Sequence, residues 1–202
     1  MEISSIVLAG GKSSRLGHDK IFKTVGDRLL LELVVNSVAP LSQEIILVAA
    51  SQNALVQSAK YPGLRAVTDV FPGKGPLGGI YTGLLASTSF YNLVVASDMP
   101  FLNPALLRYM IKVSTDFDIV VTRVGDLVEP LHAVYAKSCL EPIEHLLKHN
   151  ELSVHRLFPT VRIRYVEADE IERFDPDHLS FFNVNTQGDL QKAEEIARGM
   201  ER

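Results

Sequence analysis

Short apolar runs alternate along the chain with longer stretches of helical period. The runs at residues 3–8, 44–49, 64–67, 92–96, 118–123, 131–135 and 161–166 predict strands. Ile45, Ile46, Leu47 and Val48 are consecutive apolar residues, as are Leu93, Val94 and Val95. A strand apolar on both faces belongs to a sheet covered on both sides, which favours parallel pairing. Between the runs, Leu29, Leu30, Leu33, Val34, Val38 and Leu41 form one helical stripe. Asn103 is an N-cap followed by proline at the first helical position, predicting a helix through Lys112. Ser138 and Glu141 have capping-box spacing for a helix reaching about His149. Thr186 with Asp189 opens a last helix through Ala197, with Gly199 placed to end it. Strands alternating with helices predict an α/β doubly wound fold. The stretch from about 124 to 170 is less regular, and a hairpin or an antiparallel edge strand is expected there.

A chain of 202 residues is long enough to bury a proper core, and one domain spanning 1–202 is expected. The formal net charge of −4 argues against a general nucleic-acid binder, which needs a basic face. Cys139, the single cysteine, has no internal disulfide partner, which suits a reducing compartment. No apolar run approaches the roughly 18 residues of a membrane helix. The acidic Glu2 is unlike the basic start of a signal peptide. A cytoplasmic protein without nucleic-acid or membrane partners is expected.

Against that acidic background, the stretch LAGGKSSRLGHDK at residues 8–20 is locally basic and glycine-rich. It follows the first predicted strand. A strand, a flexible basic loop and then a helix present N–H groups and positive charge to an anion, here a nucleoside triphosphate. Gly11-Lys12-Ser13 matches the tail of a phosphate-binding P-loop, but that motif needs glycine where this chain has Ile6. The dinucleotide fingerprint is absent too. A glycine turn under a solvated basic surface is the plain alternative. It would leave Lys12, Arg15 and Lys20 to repel one another unless an anion sits among them.

Three further stretches carry candidate chemistry. Residues 69–83, DVFPGKGPLGGIYTG, hold glycines that let backbone approach a ligand closely, or that merely punctuate a loop and a packed helix start. In NLVVASDMPFL, Asp98 falls just past the carboxyl end of a predicted buried strand, the edge where open α/β sheets bind ligands. A carboxylate there suits Mg²⁺, a hard cation that takes oxygen ligands and bridges phosphates; the alternative is a turn cap. In FFNVNT, Asn183 and Asn185 sit two apart, so an extended backbone turns both amides to one face. Turn and cap chemistry before the last helix is the competing reading.

Taken together, LAGGKSSRLGHDK, GPLGGIYTGL, VASDMPFL and FFNVNT resemble the molybdenum cofactor guanylyltransferases, within the nucleotidyltransferase superfamily. The four motifs run in order from residue 8 to 186, nearly the whole chain. The resemblance implies a Rossmann-like three-layer sandwich with a mostly parallel central sheet, of glycosyltransferase-A type. It implies a nucleotide-binding part at about 1–115 and an acceptor side at about 116–202. It implies nucleotide contacts from Leu8, Ala9, Gly10 and Asp69, phosphate roles for Gly11, Arg15 and Lys20, and Mg²⁺ on Asp98. Asn183 and Asn185 fall on the side that receives molybdopterin. The implied reaction transfers GMP from GTP to molybdopterin or the molybdenum cofactor and releases pyrophosphate. Arg15, Lys20 and Asp98 would be the catalytic residues. Cofactor-delivery proteins and recipient molybdoenzymes are further implied partners. A relative using CTP, or another phosphorylated acceptor, is the enzyme alternative; a nucleotide-binding module without turnover is the non-enzyme one. The chain departs from the family pattern at Leu16, where methionine is frequent, and at Gln187, where proline is. The family's base-contacting asparagine has no clean counterpart, Ser51 and Asn53 being the candidates.

Other candidates are weaker. His145 and His149 are four apart on a predicted helix but lack a third ligand. His132 either faces the acceptor side or sits in the core or on an edge strand. Cys139, near a helix start, is open to a lowered pKa but has no catalytic base, and is read as structural. Arg156, Arg162 and Arg164 are read as a solvated edge.

Overall fold

The computed structural model describes residues 2–9, 23–49 and 63–200. The strands are β1 (Ile3–Ala9), β2 (Thr24–Val25), β3 (Arg28–Leu29), β4 (Glu44–Ala49), β5 (Leu64–Thr68), β6 (Tyr91–Ala96), β7 (Ile119–Val124), β8 (Leu127–Ala136) and β9 (Ile163–Val166). Among the described residues the helices are α1 (Leu30–Val38), α2 (Gly75–Ala86), α3 (Pro104–Lys112), α4 (Leu140–Lys148), α5 (Ala168–Ile171) and α6 (Gln187–Met200).

Seven strands form one sheet in the order β5-β4-β1-β6-β8-β7-β9. β1 pairs in parallel with β4 and β6, β4 with β5, and β7 with β9. β8 runs antiparallel to β6 and β7. The sheet is therefore mostly parallel, as the doubly apolar runs predict. The chain passes from β1 to β4 and β5 on one side, then crosses to β6 on the other. That reversal opens a crevice at the carboxyl ends of β1 and β6.

Helices cover both faces. On one, Leu31, Val34 and Val38 of α1 and Leu106, Leu107 and Met110 of α3 pack against Val7, Leu47 and Val95. On the other, Leu77, Ile80 and Leu84 of α2 and Ile143 and Leu147 of α4 pack against Ile6, Ile46 and Val94. A small third cluster joins Val25 and Leu30 to Val184, Leu190 and Ala193. α2 lies unusually close to β1. A Cβ on Gly79 would stand 3.2 Å from Leu8 Cδ2, and one on Gly83 would overlap the Ile6 side chain. Glycines at i and i+4 thus form a groove into which β1 fits.

Several local expectations change. The Asn103 cap forms, its side chain accepting from Ala105 and Leu106 N–H at 2.9 and 3.2 Å. The Ser138–Glu141 box does not. Ser138 donates instead to Asp118 at 2.7 Å, and α4 starts at Leu140 after a 3-10 turn. Gly199 does not end the last helix, which runs to Met200. Leu29 belongs to β3, so the stripe is helical only from Leu30, continued by a 3-10 turn over Ala39–Leu41. The irregular stretch holds the β7–β8 hairpin, turned at Gly125 with φ +60°. β8 is interior, and β9, paired in parallel with β7, is one of the sheet's two edges, β5 being the other.

Candidate active site

Three loops are tied to the carboxyl ends of the strands by backbone bonds. Ser97 N–H donates to Leu8 O at 3.1 Å, Asp69 N–H to Ala49 O at 3.2 Å, and Val184 N–H to Asp98 O at 2.9 Å. The sequence candidates Asp69, Asp98, Asn183 and Asn185 are thereby brought to one rim, with Leu8 and Ala9 beneath it. Leu8 and Ala9 are buried, so they form the floor of the crevice.

Asp69 is half-buried and heads a turn. Its Oδ1 accepts from Phe71 N–H and lies 2.9 Å from the Thr82 hydroxyl, which itself accepts from Val70 N–H at 3.1 Å. Gly73 and Gly75, with φ +79° and +67°, let the chain double back into α2. α2 therefore opens at the carboxyl edge of the sheet, where its first-turn N–H groups and helix dipole favour an anion. Lys74, at the cap position, donates to Asn150 Oδ1 at 2.7 Å.

Asp98 is half-buried just beyond β6. The segment at residues 182–185, bonded to it through Val184, has no regular secondary structure and does not join the sheet. Asn183 and Asn185 flank fully buried Val184, with Asn183 half-buried and Asn185 exposed. Asn183 Nδ2 donates to Phe181 O at 3.0 Å. The segment is held at its far end as expected. Asp189 Oδ2 accepts from Asn185 and Thr186 N–H at 3.0 and 2.8 Å, and Thr186 Oγ1 accepts from Asp189 N–H at 3.1 Å.

Glu129 also reaches this rim, from β8. Burial raises its carboxyl above the ordinary range, a push opposed by the bond from Leu131 N–H and reinforced by the charge of Asp98. Glu129 stands opposite Thr122 of β7, and no local pattern in the sequence singles it out.

His132 lies in the interior of β8 and is fully buried, which settles it as core and not edge. Its ring packs 5.0 Å from that of Phe181. Neither ring nitrogen has a partner among the described residues, and burial pushes its pKa down to about 4. Cys139 is buried, and burial pushes its thiol up to about 12, so the helix-start activation considered above does not occur. The arginines are structural: Arg162 pairs with Asp118, Arg164 with Glu170, and Arg156 with Glu151. The rings of His145 and His149 lie 4.3 Å apart, tilted by 39°, on an exposed helix end, and no third ligand joins them among the described residues. Gly10, Gly11, Lys12, Arg15, Leu16 and Lys20, with Ser51 and Asn53, lie outside the described residues.

Asp98 offers a hard oxygen donor at the rim, and among the described residues no group of three or more His, Cys, Asp or Glu side chains is gathered to hold a metal. A divalent ion held there would take its remaining ligands from water and substrate phosphates.

A family model described as the MobA-like NTP transferase domain matches residues 5–162. The chain is 36% identical over 197 residues to a protein of Pelotomaculum thermopropionicum named probable molybdenum cofactor guanylyltransferase, covering 98% of this chain and 94% of that one. It is 33% identical over 196 residues to the molybdenum cofactor guanylyltransferase of Desulfosudis oleivorans, covering 95% and 94%. Its fold superposes on the crystal structure of molybdopterin-guanine dinucleotide biosynthesis protein A from Archaeoglobus fulgidus with a TM-score of 0.85 and 28% identity, over 98% of this chain and 100% of that one.

Proposed function

This chain belongs to the MobA-like NTP transferase family, and from that premise we propose that it transfers GMP from GTP to molybdopterin or the molybdenum cofactor. A terminal phosphate oxygen of the acceptor bonds to the α-phosphorus of GTP, the bond to the β-phosphate oxygen breaks, and pyrophosphate leaves. The observation that carries this reading is the seam at Asp98. The rim beside β1, where the triphosphate would lie, is bonded directly to the segment bearing Asn183 and Asn185.

The nucleophile is an anion near neutral pH, so no strong base is needed. The difficulty is bringing two polyanions together. Gly10, Gly11 and the α2 N-terminus give N–H groups to the triphosphate, and Arg15 and Lys20 neutralise its charge. Leu8, Ala9 and Asp69 shape the nucleotide side. Asp98 is the residue that would hold Mg²⁺, whose contribution when bound is to offset charge on the phosphate oxygens. Asn183 and Asn185 offer amides to the acceptor, whose pterin and phosphate present both donors and acceptors. On this reading, residues to about 115 serve the nucleotide and the rest the acceptor. The enzyme works in the cytoplasm, exchanging its cofactor with delivery proteins and recipient molybdoenzymes.

The test is pyrophosphate release with GTP, CTP or ATP, with and without Mg²⁺, against molybdopterin as acceptor. Release with GTP and Mg²⁺ is expected. Release with CTP instead identifies a cytidylyltransferase, and tight GTP binding with no release identifies a carrier.

A further inference from the structure

The loop that leaves β6 lies alongside the segment that precedes α6. Asp98 O accepts from Val184 N–H at 2.9 Å, the ring centroids of Phe101 and Phe182 are 5.9 Å apart, and Asn103 N–H donates to Ser180 Oγ at 3.0 Å. Asp98, Phe101 and Asn103 thus meet Val184, Phe182 and Ser180 in that order, so the two segments run antiparallel. Asn103 makes one further tie, from Nδ2 to Phe174 O at 2.7 Å. Both ends of the turn from Phe174 to Ser180 therefore close on a single residue.

That turn is firmly built. Buried Asp175 accepts from Leu179 and Ser180 N–H at 3.1 and 2.9 Å, and His178 takes a left-handed φ of +55°. Ser180 is fully buried, so its bond to Asn103 is sheltered from water. Just past the turn, Phe181 O accepts from Asn183 Nδ2 at 3.0 Å, which holds that amide in one orientation. The placement of Asn183 is thereby referred back to Asn103.

Asn103 also caps α3, but the cap uses only Oδ1, which accepts from Ala105 and Leu106 N–H. Serine and aspartate cap helices about as well as asparagine. Capping alone therefore does not call for the amide. What the amide adds is the Nδ2 donor to Phe174.

We propose that Asn103 is a positioning residue for the acceptor, fixing the turn that carries Asn183 against the loop that carries Asp98. The inference rests on the acceptor role proposed above for Asn183 and Asn185. Misplacing a substrate-positioning group by about 1 Å can cost about 10²-fold in rate, so a tie of this kind bears on turnover from outside the site.

The test varies molybdopterin at saturating GTP and Mg²⁺, and measures GTP binding separately by calorimetry without acceptor. Wild type, Asn103→Asp and Asn103→Ser are compared, with Asn183→Ala beside them. Aspartate keeps the cap but has no proton to donate; serine keeps the cap, stays neutral and lacks the second arm of the amide. Both variants are expected to raise the acceptor KM about tenfold while GTP affinity stays at the wild-type value. Ser180→Ala removes the other tie and is expected to act in the same direction, which keeps the test open should an Asn103 variant fail to fold. An acceptor KM at the wild-type value in the folded variants, or a loss shared equally by GTP binding, overturns the inference. If Asn183→Ala raises the acceptor KM in that case, the acceptor reading stands without it. An acceptor KM unmoved by Asn183→Ala overturns both.

Discussion

The N–H of Val184 donates to the carbonyl oxygen of Asp98 at 2.9 Å, joining residues 86 positions apart. Val184 is fully buried, so the bond is sheltered from water. It places a candidate metal ligand and a candidate acceptor segment in one rigid unit. It also uses only backbone atoms, so the side chains on either side can be changed without undoing it.

Asp98→Asn follows directly. Pyrophosphate release should fall by at least about 10²-fold, as expected when a group that stabilises transition-state charge is lost. The thermal midpoint should stay near wild type because the bond to Val184 persists. Near-normal turnover in the folded variant would remove Asp98 from the chemistry.

Asn185→Ala separates the two substrates. The Asn185 N–H still bonds Asp189, so the turn survives. Loss of one hydrogen bond to the acceptor, about 1.4 kcal/mol, should raise the acceptor KM roughly tenfold. GTP affinity by calorimetry should not change. A shift in GTP affinity with constant KM would assign the residue to the nucleotide.

Gly83→Ala probes the groove between α2 and β1. The added Cβ overlaps Ile6, so helix and strand must part or Ile6 must leave its rotamer. Overpacking of this kind costs about 1–3 kcal/mol. Denaturant melts should show that loss. A neutral or stabilised variant would mean that Ile6 moves aside freely.

His132 gives the protein an acid-sensitive core. Its folded pKa of about 4 lies below the ordinary 6.5. Between those values the unfolded chain takes up a proton that the folded protein refuses, so stability falls as pH falls through this window. Below about 4 the loss is complete and amounts to roughly 3 kcal/mol. Urea melts of wild type and His132→Leu should therefore diverge between about pH 6.5 and 4, with the leucine variant flatter. Asp118 is common to both proteins. Against the upward push of burial, bonds from Ser138 and Arg162 keep its carboxyl below the ordinary range, so its contribution is lost at still lower pH. Parallel pH profiles would show that His132 finds a partner.

The central elements were legible because their signals are local. Doubly apolar runs such as Ile45 to Val48 have one stable home, a sheet covered on both faces. Asn103 before Pro104 leaves little choice but to start a helix, and Thr186 with Asp189 behaves likewise. Asp98 could be placed at a binding edge because it follows one of those runs directly. Ser138 shows where local reasoning stops. Its spacing to Glu141 suits a capping box, but Asp118, brought alongside by the β7–β8 pairing, offers an anion at 2.7 Å.

The sequence by itself therefore determined the class of fold, the buried strands, the helix starts at Pro104 and Gln187, and the family to which the chain belongs. Those properties depend on side-chain period and on residues within a few positions of one another. Only the tertiary structure decided that β8 lies inside the sheet, that His132 is sealed with no partner among the described residues, and that Glu129 stands opposite Thr122. Each depends on which strands become neighbours. That choice is made by packing between segments far apart in the chain, and no local pattern encodes it.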